Sequence, residues 1–342
     1  MLLFQILMQN KFQEKLNQLI EQKSSFLLFR KPHGAMLELW FDEKIGENQF
    51  VFNRFDNQEK IIFTTDHVLE TPIEDLEFSL QLPVSEMDES ISHEQYTQLI
   101  SETVNELKNS DTEKIVISRI KEIPNQGIHI AKTLKNIHTK YPQAYVYLWY
   151  STDHGVWVGA SPELLLKEKN FKIETVSLAG TLPKDEEWTT KEIHEQQVVT
   201  DYIVANLNGS RNIMIDGPHT VDAGYFNHLK SYISAEVNSY DEVENILNRL
   251  HPTPAVCGMP KIDAHRYILN HEGYDRKFYA GYFGYKTLNE SEYFVNLRCA
   301  QLFENVIKLY VGGGIMPDSI PEKEWQETEL KSKTIGNLLV TD

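Results

Sequence analysis

Cysteine is nearly absent: Cys257 and Cys299 are the only two in 342 residues. That excludes a disulfide framework and suits a reducing, cytoplasmic setting. Apolar runs are short too, and none approaches the roughly 20 residues a membrane-spanning helix needs. The apolar opening, residues 1–8, is interrupted by Gln5, has no basic leader and precedes no small-residue cleavage site, so it reads as the start of an amphipathic helix. Cations are scarce as well. With 33 Lys+Arg against 50 Asp+Glu the formal charge is -17, and such a surface repels phosphate backbones and anionic membranes, so neither is expected as a partner. A site for an anionic small molecule must then concentrate its few cations locally.

What is present is an ordinary globular balance, 41% hydrophobic and 24% charged. Helical spacing of Leu and Ile covers residues 1–22, and short strands are expected at 26–29, 36–41, 50–55 and 60–64. An acidic stretch with Pro72 and Pro83, residues 69–90, reads as a connector. From 92 onward the pattern predicts helices at 92–109, 129–140, 187–208, 240–249 and 321–339. Strands are expected at 114–120, 144–150, 155–159, 163–167, 171–177, 279–285, 292–301 and 306–311. Without a regular βαβ rhythm, this is an α+β fold with largely antiparallel sheets.

Several segments could carry chemistry, each beside a plainer reading. Lys114 opens an apolar run that ends in Arg119; an amine against apolar walls and near another cation has a lowered pKa and can act as a base, though an edge lysine would look the same. Glu163 lies between a turn and three leucines, where desolvation would keep it protonated as a general acid, unless its head simply reaches water. Glu192 and Glu195, three apart in a helix, are echoed by Glu324 and Glu327; carboxylates from two helices suit Mg²⁺, although charged helix faces are mostly just solvated. No Cys/His spacing suggests zinc. Gly312–Gly314 would let a backbone approach an anion, or form a tight turn. Arg298, read as part of an apolar strand, needs a carboxylate partner from protein or ligand.

Together these segments resemble, in order and spacing from about 92 to 338, the chorismate-utilising enzymes: anthranilate, aminodeoxychorismate, isochorismate and salicylate synthases. The motifs are Lys114-Ile-Val-Ile-Ser-Arg119, Ala160-Ser-Pro-Glu163, Leu178-Ala-Gly-Thr181, His194-Glu195, His228-Leu229, His251-Pro-Thr-Pro-Ala255, Tyr279-Ala-Gly281, Leu297-Arg298, Gly312-Gly-Gly-Ile315 and Glu324-Trp-Gln-Glu327 with Lys331. The resemblance implies a single domain over 1–342, with a variable part at 1–91 and a catalytic core at 92–338. Two twisted, largely antiparallel sheets would pack together, flanked by helices. It also implies roles. Lys114 would activate water at C2 of chorismate and Glu163 would protonate the departing C4 hydroxyl. Glu195 and Glu327 would hold Mg²⁺ on the ring carboxylate, with Glu192 or Glu324 acting through water. Arg298, Tyr279, Lys331 and the amides of Gly312–Gly314 would grip the enolpyruvyl carboxylate. His228 would lie near the ring carboxylate, with Ala179, Gly180, Thr181 and Ala255 lining the substrate site.

Within the family, Ala179 stands where aminodeoxychorismate synthases place a nucleophilic Lys, and His251-Pro-Thr-Pro-Ala-Val is the form typical of isochorismate and salicylate synthases. The resemblance therefore implies water as nucleophile and a Mg²⁺-dependent isomerase making isochorismate for menaquinone or siderophore synthesis. Salicylate formation is the alternative, and a non-catalytic chorismate binder the alternative of another class. No glutaminase subunit is expected, and the family leans towards monomers. The chain departs from the family at Leu182-Pro-Lys-Asp, at Gln196 where His is common, at Cys257, and in its short, weakly matching first 90 residues.

Overall fold

The computed structural model describes residues 2–87, 89–184, 186–222 and 226–341, with side chains described throughout these except at 2–8, 181, 183, 191 and 226. Along the chain, α1 (Leu2–Glu21) leads into β1 (Phe26–Arg30), β2 (Met36–Phe41), β3 (Asn48–Asn53), β4 (Lys60–Thr65) and β5 (Leu69–Pro72). Then come α2 (His93–Asn109), β6 (Lys114–Pro124), α3 (Ile130–Lys140), β7 (Tyr145–Ser151), β8 (Gly155–Ser161), β9 (Leu164–Lys169), β10 (Lys172–Pro183) and α4 (Thr190–Asn206). The rest is β11 (Arg211–Asp222), β12 (Phe226–Glu236), α5 (Tyr240–Leu250), β13 (Gly258–Met259), α6 (Lys261–His271), β14 (Tyr282–Lys286), β15 (Glu290–Val295), β16 (Cys299–Leu302), β17 (Val306–Ile315) and α7 (Pro321–Gly336).

The strands form two sheets, ordered β13-β6-β17-β16-β8-β7-β1-β2-β5 and β11-β12-β10-β9-β15-β14-β3-β4. Neighbouring strands run antiparallel, as β17 does on β6 from Val306↔Pro124 to Ile315↔Ile115. Alternation along β7 shows how the layers are built. Tyr145, Tyr147 and Trp149 face the second sheet, while Val146 and Leu148 face the opposite cluster with Leu16 of α1, Leu134 of α3 and Ile335 of α7. Both faces of the nine-stranded sheet are thus covered around β7, so its central strands β1 and β7 read as nearly continuous apolar runs. Aromatic contacts fill the space between the sheets, such as Phe52 on Trp149 at 4.3 Å and Tyr145 on Phe294 at 4.1 Å.

Helix starts follow local chemistry. The Ser92 side chain accepts from Gln95 N–H and Gln95 accepts from Ser92 N–H, a reciprocal cap for α2. Pro321 opens α7, where its missing N–H costs nothing.

Several expectations need correcting. The stretch 69–90 is more than a connector, since β5 pairs with β2 there; its polar edge-strand residues hid the pairing. The expected strand 292–301 is two strands broken at 296–298, and the final strand runs on through the glycines to Ile315. The hairpin β11–β12 and helix α6 were not anticipated. Residues 211–220 of β11 are exposed without a break, so the strand carries no inward-outward alternation to detect.

Candidate active site

A cavity of about 590 Å³ opens where both sheets, α4 and α7 meet. It gathers Lys114 from β6, Glu163 from the β8–β9 link, Ala179 and Gly180 from β10, Glu195 from α4, His228 from β12 and Ala255 from the loop after α5. Tyr279, Arg298, Gly312 and Gly314, with Lys331 of α7, complete this set of expected residues. The fold brings these distant segments to one place. Thr181 pairs with His228 in the β10–β12 ladder, but its side chain lies outside the described residues.

Lys114 and Glu163 carry opposite displacements. Burial lowers the Lys114 pKa, Lys331 lowers it further, and Glu195, Glu163 and Glu327 oppose the shift. Burial raises Glu163 to about 7 against the opposing charges of Arg298 and Lys114. The second cation near Lys114 is therefore Lys331, not Arg119. Period-two alternation turns Arg119 to the other face of β6, where it bonds Thr328 and Glu329 and lies 3.8 Å over the Trp325 ring. Neither the Lys114 amine nor the Glu163 carboxyl makes a hydrogen bond or ion pair with the described residues. The Glu163 backbone is nevertheless pinned, with its N–H donating to Ser161 Oγ and its carbonyl accepting from Val295 N–H.

The glycines of β17 have a steric reason to be glycine. A Cβ at Gly314 would stand 2.5 Å from Lys114 Cε, and one at Gly313 would stand 3.3 Å from Glu324 Oε2 and 3.5 Å from Glu327 Oε1. A bare strand thus separates the lysine from a pair of glutamates. Gly180 has φ +69° at a register shift between Ala179 and Thr181, a conformation that favours glycine, and a Cβ there would press on the Glu192 backbone. His228 Nδ1 lies 3.3 Å from the Gly180 carbonyl, and burial lowers its pKa.

Arg298 sits in the break between β15 and β16 with φ +49°, rather than within a strand. Its guanidinium lies 5.3 Å over the Tyr141 ring and has no ion-pair partner among the described residues. Buried Asn296 holds this break. It accepts from Tyr147 Oη, donates to the Phe278 carbonyl and, through its backbone, bonds Ala280 and Gly281, thereby fixing Tyr279 beside Arg298. Sequence reading missed Asn296, as it missed the cavity residues Glu113, Met316 and Thr334; nothing in their local pattern signals a site.

The expected metal ligands divide. Glu195 faces the cavity. Glu327 and Glu324 converge on Gly313; burial raises the Glu324 pKa, a Ser319 hydrogen bond lowers it, and Glu327 raises it further. Lys331 bonds Glu327 Oε1 at 2.6 Å and the Gly312 carbonyl at 2.9 Å. Glu192 departs from expectation: its carboxylate accepts from the Thr189 N–H and hydroxyl at the start of α4, and it does not line the cavity. Among the described residues no three His, Cys, Asp or Glu side chains group closely enough to hold an ion alone. Hard oxygen donors beside two like-charged carboxylates fit a cation that completes its shell with substrate or water. No described helix is long and apolar enough to cross a membrane.

Comparison with known proteins agrees with this geometry. Isochorismate synthase MenF of Escherichia coli is 30% identical over 258 residues, covering 71% of this chain and 60% of MenF. The vibriobactin-specific isochorismate synthase of Vibrio cholerae is 29% identical over 269 residues, covering 74% and 68%. The match thus spans about three fifths to two thirds of these relatives. The solved structure of the menaquinone-specific synthase MenF superposes with a TM-score of 0.80 over 92% of this chain and 89% of that one, at 21% identity, so it shows the fold. The family model described as chorismate binding enzyme matches residues 47–340, and the chain belongs to that family.

Proposed function

We propose that this protein is an isochorismate synthase that isomerises chorismate with Mg²⁺. The observation that carries the reading is a lysine with lowered and a carboxyl with raised proton affinity facing one cavity, which is the pairing an addition and elimination of water requires. Lys114 takes a proton from the water that attacks C2. Glu163 gives its proton to the hydroxyl leaving C4, so one water enters, one leaves and the ring double bonds shift. Arg298, Tyr279 and Lys331 hold the enolpyruvyl carboxylate, and His228 borders the ring carboxylate. Glu195 and Glu327 would hold Mg²⁺, with Glu324 nearby. When bound, the ion neutralises the ring carboxylate and orients it.

Ala179 leaves no amine for a covalent adduct, and His251-Pro-Thr-Pro-Ala-Val has the form typical of isochorismate and salicylate synthases rather than anthranilate synthases, so water is the nucleophile and no ammonia-supplying subunit is required. Relatives named as isochorismate synthases support the same reaction, in both a menaquinone-specific and a vibriobactin-specific protein. The test is chromatography of the products after incubation with chorismate and Mg²⁺ without ammonia. Isochorismate in equilibrium with chorismate is expected. Accumulating salicylate and pyruvate, or no Mg²⁺-dependent product, would overturn the reading.

A further inference from the structure

Arg298 borders the cavity and is exposed to it, and both Glu163 and His228 feel its charge. No hydrogen bond or ion pair with the described residues fixes its guanidinium. A long side chain that must be ordered by its ligand binds more weakly than one already held in place. What lies against it is the ring of Tyr141, with 5.3 Å between the guanidinium carbon and the ring centre. Cation–π attraction reaches to about 6 Å.

Tyr141 is itself held at three points. It ends α3, where its N–H donates to the Ile137 carbonyl at 2.9 Å and Pro142 stops the helix. Its carbonyl accepts from Arg30 Nη2 at 2.8 Å, while Arg30 Nη1 takes the Pro142 carbonyl at 2.7 Å. Arg30 is fully buried, has no ion-pair partner among the described residues and gives its guanidinium to backbone carbonyls; burial lowers its pKa to about 10. The third point is the Tyr141 hydroxyl, which donates to the Thr334 carbonyl of α7 at 2.9 Å. Thr334 borders the cavity, and its own hydroxyl bonds the Lys331 carbonyl one turn back at 2.6 Å. One side chain thus touches Arg298 with its ring and the helix of Lys331 with its hydroxyl.

We propose that Tyr141 is a positioning residue for substrate binding: its ring, fixed by α3, Arg30 and α7, holds the Arg298 guanidinium in the pose that receives a carboxylate in the cavity. The proposal rests on the reading of Arg298 as a grip on the enolpyruvyl carboxylate. The ring acts through Arg298, on a part of the substrate that does not react. It therefore contributes to affinity and leaves the chemical step unchanged.

The test compares two ring-free variants, Tyr141→Leu and Tyr141→Met, with Tyr141→Phe, which keeps the ring and the backbone clamp. Circular dichroism checks that each is folded, and either ring-free variant suffices. Chorismate affinity is measured by calorimetry with Mg²⁺ in the Lys114→Ala background, and KM and kcat from initial rates with Lys114 in place. Loss of the ring is expected to raise Kd and KM about fivefold with kcat unchanged, and Tyr141→Phe to stay within about twofold of the parent. In Arg298→Ala the same loss should add nothing, because the group that the ring supports is gone. Unchanged affinity in the ring-free variants overturns the proposal, as does a fivefold loss that persists in Arg298→Ala, which would make Tyr141 a general support of the wall. Affinity that follows the ring in a protein making no isochorismate retains the proposal and discards the proposed reaction. Isochorismate formation with affinity indifferent to the ring does the reverse, and a parent that binds no chorismate discards both.

Discussion

Among the places where this molecule buries charge, two do so in opposite ways. Glu272 and Arg276, almost wholly buried, form a closed network. Glu272 accepts from the Ser118 N–H and hydroxyl and from Arg276, while Arg276 also donates to the carbonyls of Val116 and Val256 and lies over the Phe55 ring. A few residues along β6, Lys114 faces the cavity with no bonded partner, across from an equally unpartnered Glu163. A satisfied pair fixes the wall; unsatisfied groups wait for a ligand. Val116 and Val256, whose carbonyls Arg276 holds, line that same cavity, so the closed network supports the open one.

The contrast can be broken from either side. Lys114→Ala should lower kcat by about 10²–10⁴ while the protein stays folded, measured by turnover with circular dichroism as control. Arg276→Met should instead cost about 3–5 kcal/mol in urea unfolding, because Glu272 is left charged and alone. Glu163→Gln separates the two roles in one residue. The raised folded pKa means that ionising Glu163 costs stability, a cost absent below pH 4.5 and complete above about 7. Its replacement should therefore stabilise the fold by about 3 kcal/mol at pH 8, with little gain at pH 4.5, while turnover is lost. Glu327→Gln is expected to raise the Mg²⁺ concentration for half-maximal rate about tenfold, a change of about 1.4 kcal/mol, read from metal titrations of the initial rate. A metal-independent parent would remove Glu327 as a ligand.

The candidate site was legible in the order and spacing of its motifs rather than in any one of them. A lysine opening the run Ile115–Ile117, or an acid before Leu164–Leu166, stands out against its neighbours yet allows a plainer reading until the other motifs are set beside it. Residues that act through shape or support do not stand out. Asn296 is one asparagine among many until the chain break around it is seen, and Gly313 and Gly314 read as a turn until Lys114 and Glu327 are found on either side of the strand. Glu192 shows the reverse error: spacing placed it beside Glu195 on the helix, but proximity to the helix start gave it a capping role. In the fold, alternation exposed the sheets where one face is buried and failed at β11, where 211–220 face solvent unbroken.

The strand order also bears on how the protein is made. β17, near the end of the chain, lies between β6 and β16, and β14 joins β3 to β15. Neither sheet is complete until the ribosome has released its last strands, so pairings of high sequence separation dominate and folding should be slow. Until then β6 and β3 each lack a neighbour, and a growing chain with such edges is exposed to association with other chains. The wall that receives Lys114 is built only when residue 314 arrives, so an interrupted chain would carry the lysine without its pocket.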